Sequence, residues 1–241
     1  MTTQLENKST LEEIRTRFDT DVERFSNLET GQQACIDSPL ILETVGKVSA
    51  RHLRAGDTLL DIGCGAGNFT LRVLQETGGL YCHLADLSRP MLDRAQGRIQ
   101  ETGTAAAIIT HQGDFRTLDI PEGSCDTILA AAVLHHLRGD ADWEATFAKL
   151  YRWLKPGGRL YVSDFFCFET PEVQALMWER FGEHLTALGG PAYREKVFAY
   201  IDKEDSPRSL VYQLQLLTKS GFSEWDVLHR NGLGACYFAV K

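Results

Sequence analysis

The chain of 241 residues is long enough for one α/β domain with its own buried core. Its net charge of −8, without any block of like charges, disfavours a long nucleic-acid duplex or an anionic membrane surface as a partner. Apolar runs such as residues 127–134 are too short to span a bilayer, and residues 1–10 lack the apolar segment of a secretory signal. We therefore expect a cytoplasmic globular protein without a membrane partner.

The cysteines agree with a reducing compartment. The six cysteines form no CxxC pair and no Cys/His cluster with zinc-ligand spacing. Several lie inside apolar runs, where a reduced thiol behaves as a small hydrophobic group. We expect free thiols and no metal.

Hydrophobic periodicity predicts helices at the N-terminus and then an alternation of strands and helices. Apolar residues at three- and four-residue steps predict an amphipathic helix over residues 10–25, and Pro39 opens a second helix over 39–53. Five short apolar strands follow, at 58–62, 80–85, 106–110, 125–131 and 159–163. The helices between them are predicted at 68–76, 89–100 and 142–154. Such alternation implies a parallel sheet with helices on both faces.

The C-terminal part departs from this alternation. Residues 165–208 are helical and rich in aromatic residues, 209–220 form a helix, and 222–228 and 235–240 form two strands joined by an Asn231-Gly232 turn. We predict a single α/β domain over residues 1–241. It comprises an N-terminal helical cap (1–55), a cofactor-binding core (56–164), a helical lid or insertion (165–208) and a closing helix and strands (209–241).

Glycines and acidic residues recur where the predicted strands end. In chain order they are Asp61, Gly63, Gly65, Gly67, Asp86 and Asp114. Carboxyl ends of parallel strands share one edge of the sheet, where open α/β folds bind ligands. The glycines let a ligand lie against the main chain, Asp86 can accept hydrogen bonds from both hydroxyls of a ribose, and Leu87 can cover a purine. The glycine-rich turn, Asp86 and Asp114 could each serve as a structural turn or a helix cap. Because all three occur in order at the ends of predicted strands, together they indicate a nucleoside site.

Charge distinguishes the two main nucleoside ligands of such a site. A dinucleotide brings an anionic pyrophosphate, which avoids nearby carboxylates, whereas S-adenosylmethionine brings a sulfonium and an ammonium. Unit charges about 4 Å apart interact by roughly 4 kcal/mol at an effective dielectric constant near 20. The glycine spacing is GxGxG rather than the dinucleotide fingerprint GxGxxG. Both observations favour S-adenosylmethionine over NAD.

These motifs resemble those of the class I S-adenosylmethionine-dependent methyltransferases over residues 57–240. The similar segments are Leu59-Leu60-Asp61-Ile62-Gly63-Cys64-Gly65-Ala66-Gly67, Ala85-Asp86-Leu87-Ser88, Gly113-Asp114-Phe115, Leu134-His135-His136-Leu137 and Leu154-Lys155-Pro156-Gly157-Gly158. The resemblance implies a Rossmann-like seven-stranded sheet whose last strand is antiparallel, with Cys64, Phe115 and Ala131 among the cofactor contacts. It also implies S-adenosyl-L-homocysteine as the product.

A second resemblance, to the carboxy-S-adenosylmethionine synthases of tRNA wobble-uridine modification, covers Phe25-Ser26-Asn27 and residues 161–241. It implies that Phe25 lies over the cofactor, although its spacing equally suits a core residue of an amphipathic helix. Those synthases need an arginine before the last helix to hold an extra carboxylate. An ungapped alignment places Phe198 there, with Arg194 and Arg208 out of register, which favours the ordinary donor.

The acceptor side is less well defined by the sequence. His135 follows the fourth strand and can titrate near neutrality, so it is the candidate catalytic base or acceptor-positioning group. A structural histidine is the alternative, and His136 is expected to point elsewhere. Asp164 is expected to serve as a cap or turn residue. The aromatic residues after it form either a lid over an apolar acceptor or the core of extra helices and a homodimer surface: Phe165, Phe166, Phe168, Trp178, Phe181, Tyr193, Phe198 and Tyr200.

Four functions remain open from the sequence. The first is methyl transfer to a small molecule or modified nucleoside, with tRNA a less favoured acceptor because of the net negative charge. The others are remodelling of the donor itself, nicotinamide-dependent oxidoreduction, and cofactor binding without turnover.

Overall fold

The computed structural model describes residues 4–27 and 33–241. A seven-stranded sheet forms its centre, with strands β1 (Thr58–Ile62), β2 (Tyr81–Asp86), β3 (Ala107–Gln112), β4 (Cys125–Ala131), β5 (Leu154–Phe165), β6 (Glu224–Asn231) and β7 (Gly234–Val240). The strand order is β3-β2-β1-β4-β5-β7-β6. β7 is antiparallel to both of its neighbours, and the other pairings are parallel. The predicted Rossmann-like fold with an antiparallel last strand is therefore confirmed.

Helices cover both faces of this sheet. They are α1 (Leu11–Thr20), α2 (Val22–Ser26), α3 (Ser38–Ala50), α4 (Asn68–Glu76), α5 (Arg89–Thr102), α6 (Asp140–Trp153), α7 (Pro171–Glu204) and α8 (Leu210–Ser220). One apolar cluster joins the sheet to α6 and α8 and includes the fully buried Trp143 and Phe147. A second joins the opposite face to α3, α4 and α5 through residues such as Ile41, Val73 and Leu92. This arrangement leaves the carboxyl ends of the parallel strands accessible for a site.

The predicted single helix over residues 10–25 is wrong. The chain forms two helices, and Asp21 lies between them with φ −104° and ψ 12°. α1 begins at a capping box, in which Thr10 and Glu13 satisfy each other's backbone N–H groups. The apolar spacing continues through the break because both helices turn their apolar side chains to the same crevice, so periodicity could not reveal it.

The aromatic-rich region after β5 contains the long helix α7, which is bent at Gly190. This residue has φ 81° and ψ 177°, and Pro191 follows it. Such a backbone conformation is accessible essentially only to glycine. The bend returns the end of α7 to the sheet edge, where its last residues reach the N-terminal helices.

Several predicted bounds also need correction. The second helix covers Ser38–Ala50 rather than 39–53, and the fifth strand extends over Leu154–Phe165 because Leu154 already pairs with Cys125 across an irregular stretch. Within the described ranges, none of the helices combines the length and apolar character needed to cross a lipid bilayer.

Candidate functional site

The glycine-rich turn after β1 follows a backbone path that requires glycine. Gly63, Gly65 and Gly67 have φ values of 64°, 50° and 81°, in the left-handed region that other residues rarely adopt. A Cβ at Gly63 would lie 2.5 Å from Cγ2 of Val133, whereas a Cβ at Gly65 would meet no atom within 4 Å. The turn is therefore packed against the protein at Gly63 and open at Gly65.

Two carboxylates flank this turn, Asp61 fully buried and Asp86 half-buried. Asp61 accepts a hydrogen bond of 2.7 Å from the Thr70 hydroxyl, and Asp86 accepts from the backbone N–H groups of Gly65 and Ser88 at 2.8 Å each. Burial raises the pKa of Asp61 to about 7, against the hydrogen bond from Thr70. Burial also raises the pKa of Asp86 to about 6, against the two backbone N–H groups. Each carboxylate would be stabilised in its ionised form by a cation.

Asp114 carries less free charge than the sequence suggested. Nη2 of Arg116 lies 2.7 Å from a carboxylate oxygen of Asp114, and the backbone N–H of Arg116 donates to it at 2.9 Å. Arg116 also contacts Asp142 on α6 at 2.9 Å. The uncompensated negative charge of this edge therefore comes mainly from Asp61 and Asp86.

These groups line one crevice, the first cavity, whose empty space is about 1030 Å³ including the part open to solvent. Among the residues proposed from the sequence as cofactor contacts, the structure brings ten to its wall: Phe25, Asp61, Gly63, Cys64, Gly65, Asp86, Leu87, Asp114, Phe115 and Ala131. Gly67 instead caps α4 and packs near Ala95. Leu11, Ile14 and Phe18 of α1 also line the crevice. Nothing in their spacing distinguished them from ordinary core residues.

A second cavity adjoins the first, with about 1130 Å³ of empty space including its mouth. The two share Phe18, Phe25, Phe69, Ala132 and His136. At their junction Ala132 adopts φ 52°, a strained conformation for a residue with a Cβ, and donates its N–H to Ser163 at 2.7 Å. Strain of this kind is often found at functional sites, and no sequence signal revealed it.

His135 faces the second cavity from a short 3-10 helix over Leu134–His136. Its Nδ1 forms a short hydrogen bond with Asp164, and the same carboxylate accepts from the backbone N–H groups of Leu134 and His135 at 2.8 and 3.1 Å. Burial opposes the charged imidazolium, but the carboxylates of Asp164 and Asp205 outweigh it and raise the pKa of His135 to about 9. Asp164 thus orients the His135 ring as well as holding the backbone turn.

His136 lies at the same place, contrary to the expectation that it points elsewhere. It lines both cavities, and its Nδ1 is 3.5 Å from Oδ1 of Asp205. Burial and then the charge of His135 hold the pKa of His136 well below its ordinary value. Asp205, at the end of α7, was missed from the sequence because it belongs to no motif. Burial raises its pKa to about 6, against the charge of His135.

The arginines of the second cavity come from the N-terminal helices. Arg17 and Arg24 line it, whereas Arg194 and Arg208 are not among the described residues that line either cavity. Arg17 binds Glu204 through Nε and Nη2 at 2.8 and 2.6 Å. The end of β5 contributes Phe165 to the wall, and α7 contributes Phe181 and Tyr200.

Phe198 packs behind this wall rather than on it. Its ring centroid is 4.5 Å from that of Trp178 and 6.1 Å from that of Phe181. The guanidinium of Arg194 lies 5.3 Å from the Phe198 ring. Much of the aromatic region is thus a small core between the two halves of α7, and only part of it faces the cavity.

The fold and the crevice together define a class of protein. Six parallel strands with an antiparallel seventh, a glycine-rich turn after β1 and an acidic residue at the end of β2 are the features of the class I methyltransferase fold. Residues 59–158 match the family described as a methyltransferase domain. Residues 59–158 are thus a methyltransferase domain, and the chain is an enzyme whose cofactor is S-adenosylmethionine.

The chain also resembles individual proteins in sequence or in fold. The chain is 28% identical over 207 residues to a carboxy-S-adenosyl-L-methionine synthase of Shewanella baltica, covering 83% of each protein. An S-adenosylmethionine-dependent methyltransferase of Aquifex aeolicus has the same fold, with a TM-score of 0.59 at 17% identity and coverage of 92% of this chain and 96% of that one. Human N-acetylserotonin methyltransferase, solved with S-adenosylmethionine, gives a TM-score of 0.61 at 16% identity. That alignment covers 94% of this chain but spans only 56% of the human enzyme.

Proposed function

We propose that this chain binds S-adenosylmethionine in the first cavity and transfers its methyl group to a small-molecule or nucleoside acceptor in the second. The observation that carries the proposal is that the two cavities adjoin and share lining residues, Ala132 among them. The first cavity carries the glycine-rich turn and the carboxylates of Asp61 and Asp86, and the second carries a histidine oriented by a carboxylate. A donor and an acceptor in these positions would meet near the junction.

The nucleoside half of the cofactor suits the part of the cavity beside β2 and β3. Each carboxylate oxygen of Asp86 accepts one backbone N–H and keeps a lone pair for a ribose hydroxyl. Leu87 and Phe115 offer apolar surface for the adenine, and Asp114 lies at its edge. The backbone at Gly65 is open to the crevice, so the cofactor can lie against it.

The methionine half suits the part of the cavity beside β1 and β4. Asp61 lies near its cationic groups, Ala131 lies at the methyl end, and Phe25 covers the cofactor from α2. In this proposal the cofactor contacts are those of the sequence analysis: Phe25, Asp61, Gly63, Cys64, Gly65, Gly67, Asp86, Leu87, Asp114, Phe115 and Ala131. Gly67 acts indirectly, by shaping the start of α4.

Transfer is an in-line displacement. The acceptor's lone pair forms a bond to the methyl carbon, the bond from that carbon to sulfur breaks, and sulfur keeps the electron pair as S-adenosyl-L-homocysteine leaves. Alignment of two bound reactants can lower the barrier by about 7–11 kcal/mol. His135 is the candidate catalytic residue, because it faces the second cavity and Asp164 fixes its ring. Its proposed role is to position the acceptor, because a pKa of about 9 keeps the imidazole protonated near neutral pH and able to donate a hydrogen bond.

Calorimetry tests the cofactor assignment. Titration of the purified chain with S-adenosylmethionine and S-adenosyl-L-homocysteine should give saturable binding at one site per chain, whereas NAD should give none. Binding of NAD without binding of the other two ligands would refute the proposal. Turnover, followed as S-adenosyl-L-homocysteine released with an acceptor panel, then distinguishes an enzyme from a protein that only binds the cofactor.

Remodelling of the donor is the second candidate function, because the chain shares 28% identity with a carboxy-S-adenosyl-L-methionine synthase over most of its length. The position predicted to need an arginine holds Phe198, which packs against Trp178, and this favours the ordinary donor. Mass spectrometry of the nucleoside carried through purification separates the two functions. A donor heavier by one carboxyl group would support remodelling.

A further inference from the structure

Three potential metal ligands meet at the wall of the second cavity. Nε2 of His135 lies 3.7 Å from Oδ1 of Asp205, and Nδ1 of His136 lies 3.5 Å from the same oxygen. One ligand atom from each residue lies within 4.8 Å of the others. No sequence motif predicts this group, because adjacent histidines and an aspartate 69 positions further on match no zinc-ligand spacing.

The distances between these atoms suit a small divalent cation. Zinc binds imidazole nitrogen and carboxylate oxygen at about 2.0–2.2 Å in tetrahedral geometry, which places neighbouring ligand atoms about 3.4 Å apart. Two of the three edges already measure 3.5 and 3.7 Å. Small side-chain rotations would therefore complete three corners of a tetrahedron.

The hydrogen bonding of these side chains also supports a cation between them. Among the residues that the structure describes, neither ring nitrogen of His136 has a hydrogen-bond partner, although both are buried. The Asp205 side chain is 7% exposed, and its described contacts are the two histidines at ion-pair distance. Buried polar atoms normally have partners. A cation between these side chains would give both Nδ1 of His136 and the carboxylate of Asp205 a partner.

His135 already has the outer partner that a metal-bound histidine needs. Its Nδ1 bonds Asp164, and that carboxylate is held by the backbone N–H groups of Leu134, His135 and Phe165. Such a carboxylate fixes the ring and directs Nε2 towards a metal. The charges also balance, because Asp164 and Asp205 together compensate a divalent cation when both histidines are neutral.

We propose that His135, His136 and Asp205 bind one zinc-type divalent ion through Nε2, Nδ1 and a carboxylate oxygen, with Asp164 orienting His135. On binding, the proton held at Nε2 of His135 passes to solvent. The fourth position opens into the second cavity, since all three ligands line it. There the ion can bind an acceptor hydroxyl or thiol and favour its ionised form. This last step rests on the proposed methyl transfer, whereas metal binding does not.

Metal retention tests the site directly. Protein stripped with a chelator is mixed with Zn²⁺ or Co²⁺, freed of excess metal by gel filtration, and analysed for metal per chain. We expect about one ion per chain and, with Co²⁺, the visible absorption of a tetrahedral complex that shifts when 2-mercaptoethanol occupies the open position. Failure of the stripped wild-type protein to retain either metal at micromolar concentration would overturn the proposal.

Variants then locate the ion. His136→Gln and Asp205→Asn should each abolish retention, and Asp164→Asn should weaken it about 10- to 100-fold by loss of the outer carboxylate. His111→Ala is the matched control, because His111 and His83 form a separate pair with ring nitrogens 3.0 Å apart. Retention in this control should stay at one ion per chain. If His136→Gln and Asp205→Asn keep the ion while His111→Ala loses it, the ion belongs to the other pair and the proposal is wrong.

The proposed metal site and the proposed methyl transfer can be refuted separately. Calorimetry of the chelator-stripped protein with S-adenosylmethionine reports on the first cavity alone. Cofactor binding without metal retention would refute only the metal site, and metal retention without cofactor binding would refute only the proposed methyl transfer. Circular dichroism of each variant shows whether lost retention reflects the site or an unfolded chain.

Discussion

Gly63 illustrates how one residue fixes the glycine-rich turn. It combines a left-handed backbone, φ 64°, with a Val133 side chain 2.5 Å from the place where a Cβ would stand. Gly63→Ala should therefore destabilise the fold by about 3 kcal/mol, from backbone strain and overpacking together. The free energy of unfolding measured in urea checks this.

Two further variants separate the strain from the clash. Val133→Ala combined with Gly63→Ala should recover part of the lost stability, because it removes the contacting methyl groups. Gly65→Ala keeps the strain, φ 50°, but has no atom within 4 Å of the new Cβ. It should cost less stability than Gly63→Ala. Equal losses for the two single variants would show that packing against Val133 is unimportant.

The affinity for S-adenosylmethionine should depend strongly on Asp86. Asp86→Asn keeps the size of the side chain but removes its charge and one acceptor oxygen. A hydrogen bond to a charged group contributes about 1.5–3 kcal/mol, so the dissociation constant for S-adenosylmethionine should rise roughly tenfold to hundredfold. Calorimetry measures it. The control is Asp93→Asn, which alters an exposed carboxylate paired with Arg89 on α5 and should leave affinity unchanged.

Residue by residue, the sequence indicated the donor side better than the acceptor side. Asp61, Asp86 and the glycines follow strand ends, so their common position depends only on parallel strands sharing an edge. Asp205 lies 41 positions after Asp164 and reaches the cavity only because α7 bends back. Contacts of that kind depend on long-range packing, which no local pattern records.

At the scale of elements, the strands and core helices were predictable because each buries a regular apolar pattern. The predicted helix over residues 68–76 and the strands over 58–62 and 125–131 have the observed bounds. The break at Asp21 and the bend at Gly190 were not predicted. Both arise where the chain must follow a crevice or turn back on itself, and the apolar spacing continues through them.

The bend in α7 gives a testable prediction for an element. Gly190 has φ 81° and ψ 177°, a conformation that costs other residues about 1–3 kcal/mol. Gly190→Ala should lower the free energy of unfolding by that amount and shift the end of α7, which carries Asp205. Urea unfolding gives the first effect, and proteolysis of the region after residue 190 gives the second.

Gly97 provides the matched control. It lies inside α5, has ordinary helical geometry and would place a new Cβ with no atom within 4 Å. Gly97→Ala should raise stability by about 0.5–1 kcal/mol, since alanine is the better helix former. A gain from Gly190→Ala of similar size would mean that α7 is straight in solution.

At the scale of the whole molecule, the carboxylates of Asp61 and Asp86 link folding, pH and the proposed cofactor. The pKa values of Asp61 and Asp86 are raised by burial from 3.8 to about 7 and about 6. The two groups ionise at a lower pH in the unfolded chain than in the folded protein. Folding therefore takes up protons at pH values between the unfolded and the folded pKa. Their contribution to stability is fully present below about pH 3.8 and is lost as the pH rises through about 6 and 7.

The unfolding free energy should show this dependence when one carboxylate is removed. Between about pH 5 and about pH 8, the wild-type protein should lose stability relative to Asp61→Asn. Because one pKa step corresponds to about 1.4 kcal/mol, the difference between the two curves should change by a few kcal/mol. Groups elsewhere, such as Asp37 with its lowered pKa, contribute equally to both proteins and cancel. Parallel curves would refute the raised pKa of Asp61.

The affinity for the cofactor should change with pH in the opposite direction to the stability of the free protein. A sulfonium and an ammonium beside Asp61 favour its ionised carboxylate, so binding below about pH 7 must release a proton and is weakened by that cost. Affinity for S-adenosylmethionine should therefore increase from about pH 5 to about pH 8, over the range in which the free protein loses stability. Calorimetry in buffers of different ionisation enthalpy measures both the affinity and the protons released. Asp61→Asn should reduce the proton release and flatten the pH dependence. An affinity that is constant with pH in the wild-type protein would show that the cation does not lie beside this carboxylate, whatever the fold.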